Sequence, residues 1–146
     1  MTDTQHERDL KAIRDLIGRQ FASVTWTEDQ AADWSAFAAD FLSDAPLFPA
    51  ARPVSARSVP DFVARMKELP EGELTSFEQS LRGVRVMLFG NVAVAFGVCE
   101  NLENGSTIHR GIEAFLLVKD AGHWRIAAQA WDMERDGLTV PEEFLE

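Results

Sequence analysis

Three side chains that can move protons lie in the C-terminal half of the chain. Glu100, His109 and Glu113 stand in segments that are otherwise largely apolar. A carboxylate beside an imidazole orients the ring and raises its basicity, as a general base requires. A carboxyl group in a buried strand is either paired or has a raised pKa, and both mark it as a candidate functional group. These residue types indicate proton transfer, with His109 as base and Glu100 and Glu113 as orienting or acidic groups.

Apolar runs separated by compact turns predict four strands from Leu74 onward. Gly90-Asn91 and Asn104-Gly105 suit two-residue hairpin loops, because both residues of each pair tolerate positive φ. Asp120-Ala121-Gly122 suits a three-residue loop that ends in a left-handed glycine. The result is an antiparallel meander.

The turn lengths predict which residues face each other across the strands. Glu100 falls opposite His109, with Cβ atoms about 5 Å apart. Phe96 falls opposite Arg85 and Glu113, Gln129 opposite Glu113, and Gly111 opposite Trp131. The first predicted face is large and dotted with polar groups: Arg85, Met87, Val94, Phe96, Val98, Glu100, His109, Glu113, Phe115, Leu117, Gln129 and Trp131. The second is small and aliphatic: Val84, Val86, Leu88, Ala93, Ala95, Gly97, Cys99, Ile108, Ile112, Ala114, Leu116, Ile126, Ala128 and Ala130.

Neither predicted face is polar enough to stand in water. Helices are expected to cover the first face. The second, outer face is expected to pair with another copy of the chain, because a monomer seldom exposes so large an apolar area. The sequence thus predicts a homodimer.

Three helices are predicted before the sheet. Residues 4–25 carry apolar side chains at helical spacing. Thr27 and Gln30 resemble a capping box for a second helix, which carries Trp34 and Phe37. A third helix begins near Ser58 and stops at Pro70. Helices first and strands second predict an α+β fold, with one domain over residues 1–146.

Each candidate site residue also has a structural interpretation. Glu113 could pair with Arg85, Arg110 or His109, and Glu100 with His109 could form an ordinary polar pair at the sheet rim. Aromatic side chains could pack a core rather than line a cavity; they include Phe21, Trp34, Phe62, Phe96, Phe115 and Trp131.

Composition narrows the classes of partner. The formal net charge of -10 disfavours nucleic acids and anionic membranes. Cys99 is the single cysteine and the three histidines are scattered, so no metal site is expected. No phosphate-binding glycine loop occurs, and no cofactor is expected. A polar N-terminus and the lack of a long apolar run predict a cytoplasmic protein without a membrane span.

Three stretches carry a family resemblance: IRDLIGRQFASV, DWSAFAADFLSDAPLFPA and HRGIEAFLLVKDAGHWRIAAQAWD. They resemble the nuclear transport factor 2-like superfamily, which includes SnoaL-like cyclases and ketosteroid isomerases. The resemblance covers almost the whole chain. It implies a cone of three helices and a curved sheet around a ligand pocket, with a dimer formed through the outer sheet face. The aromatic residues, Arg85 and Gln129 would then contact the ligand.

The resemblance does not extend to the ketosteroid isomerase site. The tyrosine of that site falls at Phe21 and its general base near Pro49, and only its carboxylic acid has a counterpart, Glu113. Steroid isomerisation is therefore not expected. The expected function is binding of a small hydrophobic molecule, with cofactor-free acid–base catalysis of isomerase, cyclase or hydratase type if the protein is an enzyme. The alternative is a non-enzymatic dimeric binding or scaffold module.

Overall fold

The fold places three helices on one face of a five-stranded sheet, in a computed structural model that describes residues 4–145. Residues 1–3 and 146, which the predicted domain 1–146 includes, lie outside the described residues. The helices are α1 (Gln5–Ser23), α2 (Trp34–Ala39) and α3 (Val59–Glu68), with 3-10 turns at Leu69–Glu71 and Glu142–Phe144. The strands are β1 (Leu47–Phe48), β2 (Phe77–Phe89), β3 (Val92–Glu103), β4 (Thr107–Asp120) and β5 (His123–Met133). The predicted α+β class is confirmed.

The sheet has the order β1-β5-β4-β3-β2. Strands β2 to β5 form the predicted antiparallel meander. The short strand β1 runs parallel to β5, with Leu47 beside Gln129, so the sheet is mixed. Pro46 and Pro49 flank β1, which is consistent with its position at a sheet edge.

Helix α1 forms because its apolar residues recur on one stripe. Ile13, Leu16, Ile17 and Phe21 are each at most 2% exposed and pack on the sheet. The Thr4 hydroxyl accepts a hydrogen bond from the Glu7 backbone N–H and caps the first turn. The spacing of this stripe therefore fixes which side of α1 covers the inner face of the sheet.

Helix α1 packs closely on the sheet at Gly97. A Cβ atom built there would lie 3.2 Å from Ile17 Cγ2 and 3.4 Å from the Phe21 ring. The glycine lets the helix backbone come close to β3, so this contact sets the height of the helix over the sheet.

The other two helices begin at capped residues. Ser58 caps α3 by accepting from the Asp61 N–H, as the sequence predicted. The predicted capping box at Thr27 and Gln30 is wrong, because these residues form a backbone turn and α2 begins later with Asp33 as its cap. The Asp33 carboxylate accepts from the Ala36 N–H at 3.0 Å. In the segment between α1 and α2, Trp26 instead pairs with Phe77, the first residue of β2.

Two of the three predicted turn lengths are wrong. The β3–β4 loop has three residues, since Glu103 faces Thr107. The Asn104 side chain accepts from the Thr75 N–H at 2.6 Å, which ties this loop to the segment before β2. The β4–β5 loop has two residues, Ala121 and Gly122, both with positive φ. Only the β2–β3 turn has the predicted register.

These slips change the pairing that the sequence predicted. Glu100 faces Arg110 rather than His109, and Gly97 rather than Phe96 faces Glu113. Trp131 faces Glu113, Gln129 faces Phe115 and Met133 faces Gly111, because the two-residue loop and a bulge near Leu116 each shift the β4–β5 pairing by one residue. A slip of one residue moves side chains to the opposite face.

The true faces combine halves of the two predicted ones. The inner face, covered by helices, holds Val84, Val86, Leu88, Ala93, Ala95, Gly97, Cys99, His109, Glu113, Phe115, Leu117, Ile126, Gln129 and Trp131. The outer face holds Arg85, Met87, Val94, Phe96, Val98, Glu100, Ile108, Ile112, Ala114, Leu116, Ala128 and Ala130. The alternation of side chains along β3 and along β4 was predicted correctly, and only the pairing of the two strands with each other was wrong.

The C-terminal segment crosses part of the outer face. Phe144 packs edge-on against Phe96 with ring centroids 6.1 Å apart. The Arg85 guanidinium lies over the Phe144 ring and donates to the Glu143 carbonyl. Gly83 leaves room for the Phe144 carbonyl, because a Cβ atom at this position would overlap the carbonyl oxygen. Within residues 4–145, no helix is long and apolar enough to cross a membrane.

A buried carboxylate ties the start of α1 to the β4–β5 hairpin. Asp9 Oδ1 accepts from Lys119 Nζ at 3.0 Å and from Trp124 Nε1 at 3.1 Å. Gln5 Nε2 adds a third bond at 3.1 Å. Burial alone would raise the pKa of Asp9, but these donors outweigh it and hold the pKa below its usual value of 3.8.

We expect Asp9→Ala to lower the free energy of unfolding by about 3 kcal/mol, because it leaves Lys119 and the Trp124 N–H without their buried partner. The low folded pKa means that Asp9 stabilises the protein above the unfolded pKa. That contribution is lost as the pH falls through the folded value, so the variant should show a weaker acid-side loss. Urea unfolding at several acidic pH values measures both effects.

Asp15→Ala is the matched control, because Asp15 pairs with Lys11 in the open, with side chains 54% and 76% exposed. Its cost should be at most about 0.5 kcal/mol. Equal losses in the two variants would contradict the role assigned to Asp9.

Candidate functional site

A cavity of about 430 Å³ lies between the helices and the inner face of the sheet. This volume is within the usual range for small-molecule sites. Its walls are largely apolar and come from all three helices and all five strands, with a few residues between them: Gln20, Phe21, Val24, Phe37, Leu47, Phe62, Met66, Leu69, Leu74, Phe77, Gln79, Cys99, Asn101, Glu103, His109, Glu113, Gln129, Trp131 and Met133. The cavity therefore lies where the resemblance placed a ligand pocket.

Aromatic rings from two helices and β5 form one wall. Phe37 of α2 stacks on Phe62 of α3 with centroids 5.5 Å apart and planes at 27°. Phe62 meets Trp131 of β5 edge-on at 5.6 Å. These contacts lock the rings around the space, so the wall is formed before any ligand binds.

Glu113 is the most buried acidic group in this wall. Its side chain is 7% exposed, and Oε1 accepts a 2.5 Å hydrogen bond from Gln129 Nε2. Oε2 has no hydrogen-bond partner in the described part of the chain. Burial raises the pKa of Glu113 from 4.5 to about 7, while Gln129, Cys99 and Gln79 act in the opposite direction. Glu113 is thus poised to exist in both protonation states near neutral pH.

Gln129 is positioned by the edge strand. Its backbone N–H donates to the Pro46 carbonyl at 3.1 Å, which holds β5 against the residue before β1. The side chain is 4% exposed and reaches diagonally across β4 and β5 to Glu113. The two residues were predicted to face each other directly, and that register is wrong although the side chains do meet.

His109 lies at the rim of the cavity rather than inside it. Its side chain is 55% exposed, and Nε2 lies 3.7 Å from Glu103 Oε2. Asn101 is its cross-strand neighbour. His109 and Glu113 are four residues apart on one strand, about 13 Å at about 3.3 Å per residue. The two groups line the same cavity at different depths.

Glu100 takes no part in the cavity. It alternates with inward-facing Cys99 and Asn101 on β3, and its carboxylate pairs on the outer face with Arg82 at 3.2 Å and Arg110 at 3.6 Å. The predicted Glu100–His109 pair is wrong. Glu103, which sequence reasoning missed, is the carboxylate near His109, and a three-residue β3–β4 loop was the signal that would have found it.

The predicted ligand contacts divide into three groups. Phe21, Phe62, Gln129 and Trp131 line the cavity. Arg85 on β2 and Phe96 on β3 lie on the outer face, because the pairing of β3 with β4 differs by one residue from the prediction. Phe115 is 2% exposed within the solid core, and Trp34 lines a different cleft near the α2 N-terminus.

Sequence reasoning also missed polar residues of the cavity wall. Gln20 on α1 is 2% exposed and donates to the Phe37 carbonyl at 2.9 Å and to Asp40 Oδ2 at 3.2 Å. Gln79 donates to Asn101 Oδ1 at 2.9 Å. A glutamine within the apolar stripe of α1 was the available signal for Gln20. Cys99 is also in the wall, and burial raises the pKa of its thiol.

Within the described residues, no three His, Cys, Asp or Glu side chains are grouped so that they could hold a metal ion. The cavity's own residues can form hydrogen bonds and transfer protons, with Glu113 at its inner end and His109 at its rim.

We expect the stability of the protein to fall as the pH rises from 4.5 to about 7, by roughly 3 kcal/mol from Glu113 alone. In this window the unfolded chain releases the Glu113 proton while the folded protein retains it. Glu113→Gln removes that slope and keeps an acceptor for Gln129. Urea unfolding of both proteins from about pH 5 to about pH 8 measures the difference.

Glu103→Gln is the control, since Glu103 lies at the rim, and it should leave the slope in place. A slope that is identical in wild type and Glu113→Gln would show that Glu113 is not the group responsible.

Comparison with known proteins identifies the fold. No protein-family model and no curated protein matches the chain. Among solved structures, a function-unknown protein from Mycobacterium tuberculosis is similar over 90% of this chain and 75% of its own, with a TM-score of 0.72 and 17% identity. An NTF2-like protein of unknown function from Pseudomonas putida covers 89% of both chains, with a TM-score of 0.71 and 16% identity.

A third similar structure carries an enzyme name. It is hexachlorocyclohexane dehydrochlorinase LinA-type3 from Novosphingobium barchaimii, with a TM-score of 0.70 and 16% identity over 92% of this chain and 95% of that one. Identities this low establish architecture and not activity. The chain has the fold of the nuclear transport factor 2-like superfamily, and the resemblance that the sequence predicted is confirmed at the level of fold.

Proposed function

We propose that this protein binds a small, mainly apolar molecule in the cavity between its helices and the inner sheet face. The observation that carries the proposal is the Glu113 carboxyl, buried in the wall of a 430 Å³ cavity with Oε2 unpaired among residues 4–145. A packed core has no need of such a group, and a buried acceptor without a partner costs about 1–3 kcal/mol. A ligand that meets Oε2 would recover this cost.

The chemistry that the cavity supports is cofactor-free proton transfer of isomerase, cyclase or hydratase type. With a pKa of about 7, Glu113 can donate or accept a proton near neutral pH. Gln129 holds the carboxyl through Oε1 and leaves Oε2 for the ligand. His109, near Glu103 at the rim, is the second proton-transfer group. A similar structure named as a dehydrochlorinase supports an enzyme role on this fold without assigning that reaction here.

One observation favours a binding module without catalysis. Of the three groups predicted to act together, Glu100 lies on the outer face, and His109 and Glu113 stand at opposite ends of the cavity. Under this alternative, Glu113 and Gln129 orient a bound molecule and no bond in it changes. Catalysis and binding without catalysis both require that a small molecule binds in the cavity.

We also propose that the protein forms a homodimer through the outer sheet face. Met87, Val94 and Leu116 are cross-strand neighbours and are 75%, 48% and 45% exposed. Phe89 and Val92 extend this apolar row and are 85% and 50% exposed. The C-terminal segment covers only the neighbouring part of the face, around Phe96. A second copy would remove the row from water.

Blocking the cavity should abolish ligand binding. Asn101→Trp puts a large ring beside His109 at the mouth, whereas Asn101→Ser leaves the space open. Native mass spectrometry of wild type and Asn101→Ser should detect a small-molecule adduct, or binding from an apolar compound library. Asn101→Trp should lose it by at least tenfold. Equal binding by the folded Asn101→Trp protein would contradict the proposed location.

A charge in the centre of the apolar row should break the dimer. Val94→Glu places a carboxylate between Met87 and Leu116 and should give a monomer, because a buried unpaired charge opposes association. Val54→Glu is the matched control at a position 59% exposed in a loop. Light scattering coupled to size exclusion measures the mass. A monomeric wild type at micromolar concentration would overturn the dimer.

A further inference from the structure

Three buried side chains in the cavity wall each keep one acceptor atom unpaired. They are Gln20, Gln129 and Glu113, which are 2%, 4% and 7% exposed. Gln20 Oε1, Gln129 Oε1 and Glu113 Oε2 have no hydrogen-bond partner of standard geometry among the described residues, although Cys99 and Gln79 lie near enough to Glu113 to lower its pKa. Buried polar atoms in proteins are nearly always bonded, so three in one cavity point to a partner from outside the chain.

Only the oxygen of the Gln20 amide is left without a partner. Its nitrogen donates to the Phe37 carbonyl and to Asp40 Oδ2, two groups that can only accept. Rotating the amide would set oxygen against both acceptors, which excludes the flipped orientation. Arg19 also binds Asp40, at 3.1 Å, and keeps that carboxylate in place. Gln20 Oε1 is thus a fixed acceptor.

The amide of Gln129 is fixed while Glu113 is ionised. Its nitrogen donates to Glu113 Oε1, and a carboxylate oxygen can only accept, so the amide cannot be reversed in that state. Gln129 Oε1 is then left as an acceptor. Protonation changes Glu113 itself, which then carries an O–H donor.

The charges around the cavity exclude an anionic partner for these atoms. No lysine or arginine is among the described residues of the cavity wall, and its ionisable groups are Glu103, Glu113, His109 and Cys99. The remaining walls are largely aromatic and aliphatic. An uncharged molecule fits this environment, and its polar atoms must offer hydrogen to acceptors.

We infer that the ligand of this cavity is an uncharged apolar molecule that bears hydroxyl or N–H groups and donates them to Gln20 and Gln129. An ether of the same shape would leave both acceptors unpaired, so the cavity selects against it. This inference rests on the proposed function, because it concerns the molecule bound in the same cavity. It narrows the proposed ligand from a small, mainly apolar molecule to one that is also a hydrogen-bond donor.

The test uses matched pairs that differ only in the donor. Isothermal titration calorimetry compares 2-naphthol with 2-methoxynaphthalene, and 2,7-dihydroxynaphthalene with its dimethyl ether. We expect each hydroxyl compound to bind at least tenfold more tightly than its ether, the size of one well-made hydrogen bond. Equal affinities, or tighter binding of the ethers, would overturn the donor inference and leave ligand binding in place.

Variants locate the preference in the two amides. Gln129→Met keeps the length of the side chain and removes the acceptor, and should cut the preference for 2-naphthol over its methyl ether to threefold or less. Gln20→Met serves if that variant does not fold. Gln30→Met, on an exposed loop, should keep the full preference. An unchanged preference in both cavity variants would overturn the inference, whereas no binding by any compound to the wild type would contradict the proposed function itself.

Discussion

Keeping the Glu113 carboxyl out of water is the constraint on which the rest of the structure depends. An ionised carboxylate in such a place is costly, so the group shifts toward its neutral form or must be paired. Gln129 supplies one donor, and Gly97 directly across the strands leaves α1 room to close over the sheet. The close approach of α1 that seals the core thus also creates the environment that raises the pKa of Glu113.

The inner face changes character along the strands, and Glu113 lies at the change. Toward the β4–β5 turn, Phe115, Leu117 and Ile126 are buried in a solid core. Toward the opposite end, the space between the helices and the sheet is open and forms the cavity, with His109 at its rim. On the outer face, the C-terminal segment packs against Phe96 and the neighbouring apolar row is exposed. Binding and association therefore use opposite sides of one sheet.

The sequence predicted what depends on local pattern and failed where distant contacts decide. Helices α1 and α3 and the four long strands follow from periodicity and capping. The alternation of side chains was predicted correctly along β2, β3 and β4, but in β5 a bulge puts Ile126 on the face opposite to Ala128. The β3–β4 register failed because Asn104 bonds to Thr75, a contact between residues 29 apart in the chain. The β4–β5 register failed because Ala121 takes a positive φ that alanine rarely adopts, which shortens the loop, and because a bulge near Leu116 shifts the pairing once more. Glu113 was found from its apolar flanks, whereas the cavity and Glu103 depend on that register and on packing volumes.

The central claim is that the Glu113 carboxyl, at the inner end of a ligand cavity, is partly protonated and partly ionised near neutral pH. The most direct measurement is a carbon-13 NMR titration of the glutamate carboxyl signals, with Glu113 assigned by its loss in Glu113→Gln. The account predicts a titration midpoint close to the pKa of about 7 that burial produces. A midpoint near the ordinary 4.5 would mean that the carboxyl is solvated and ionised at neutral pH, and would contradict its role as a proton donor.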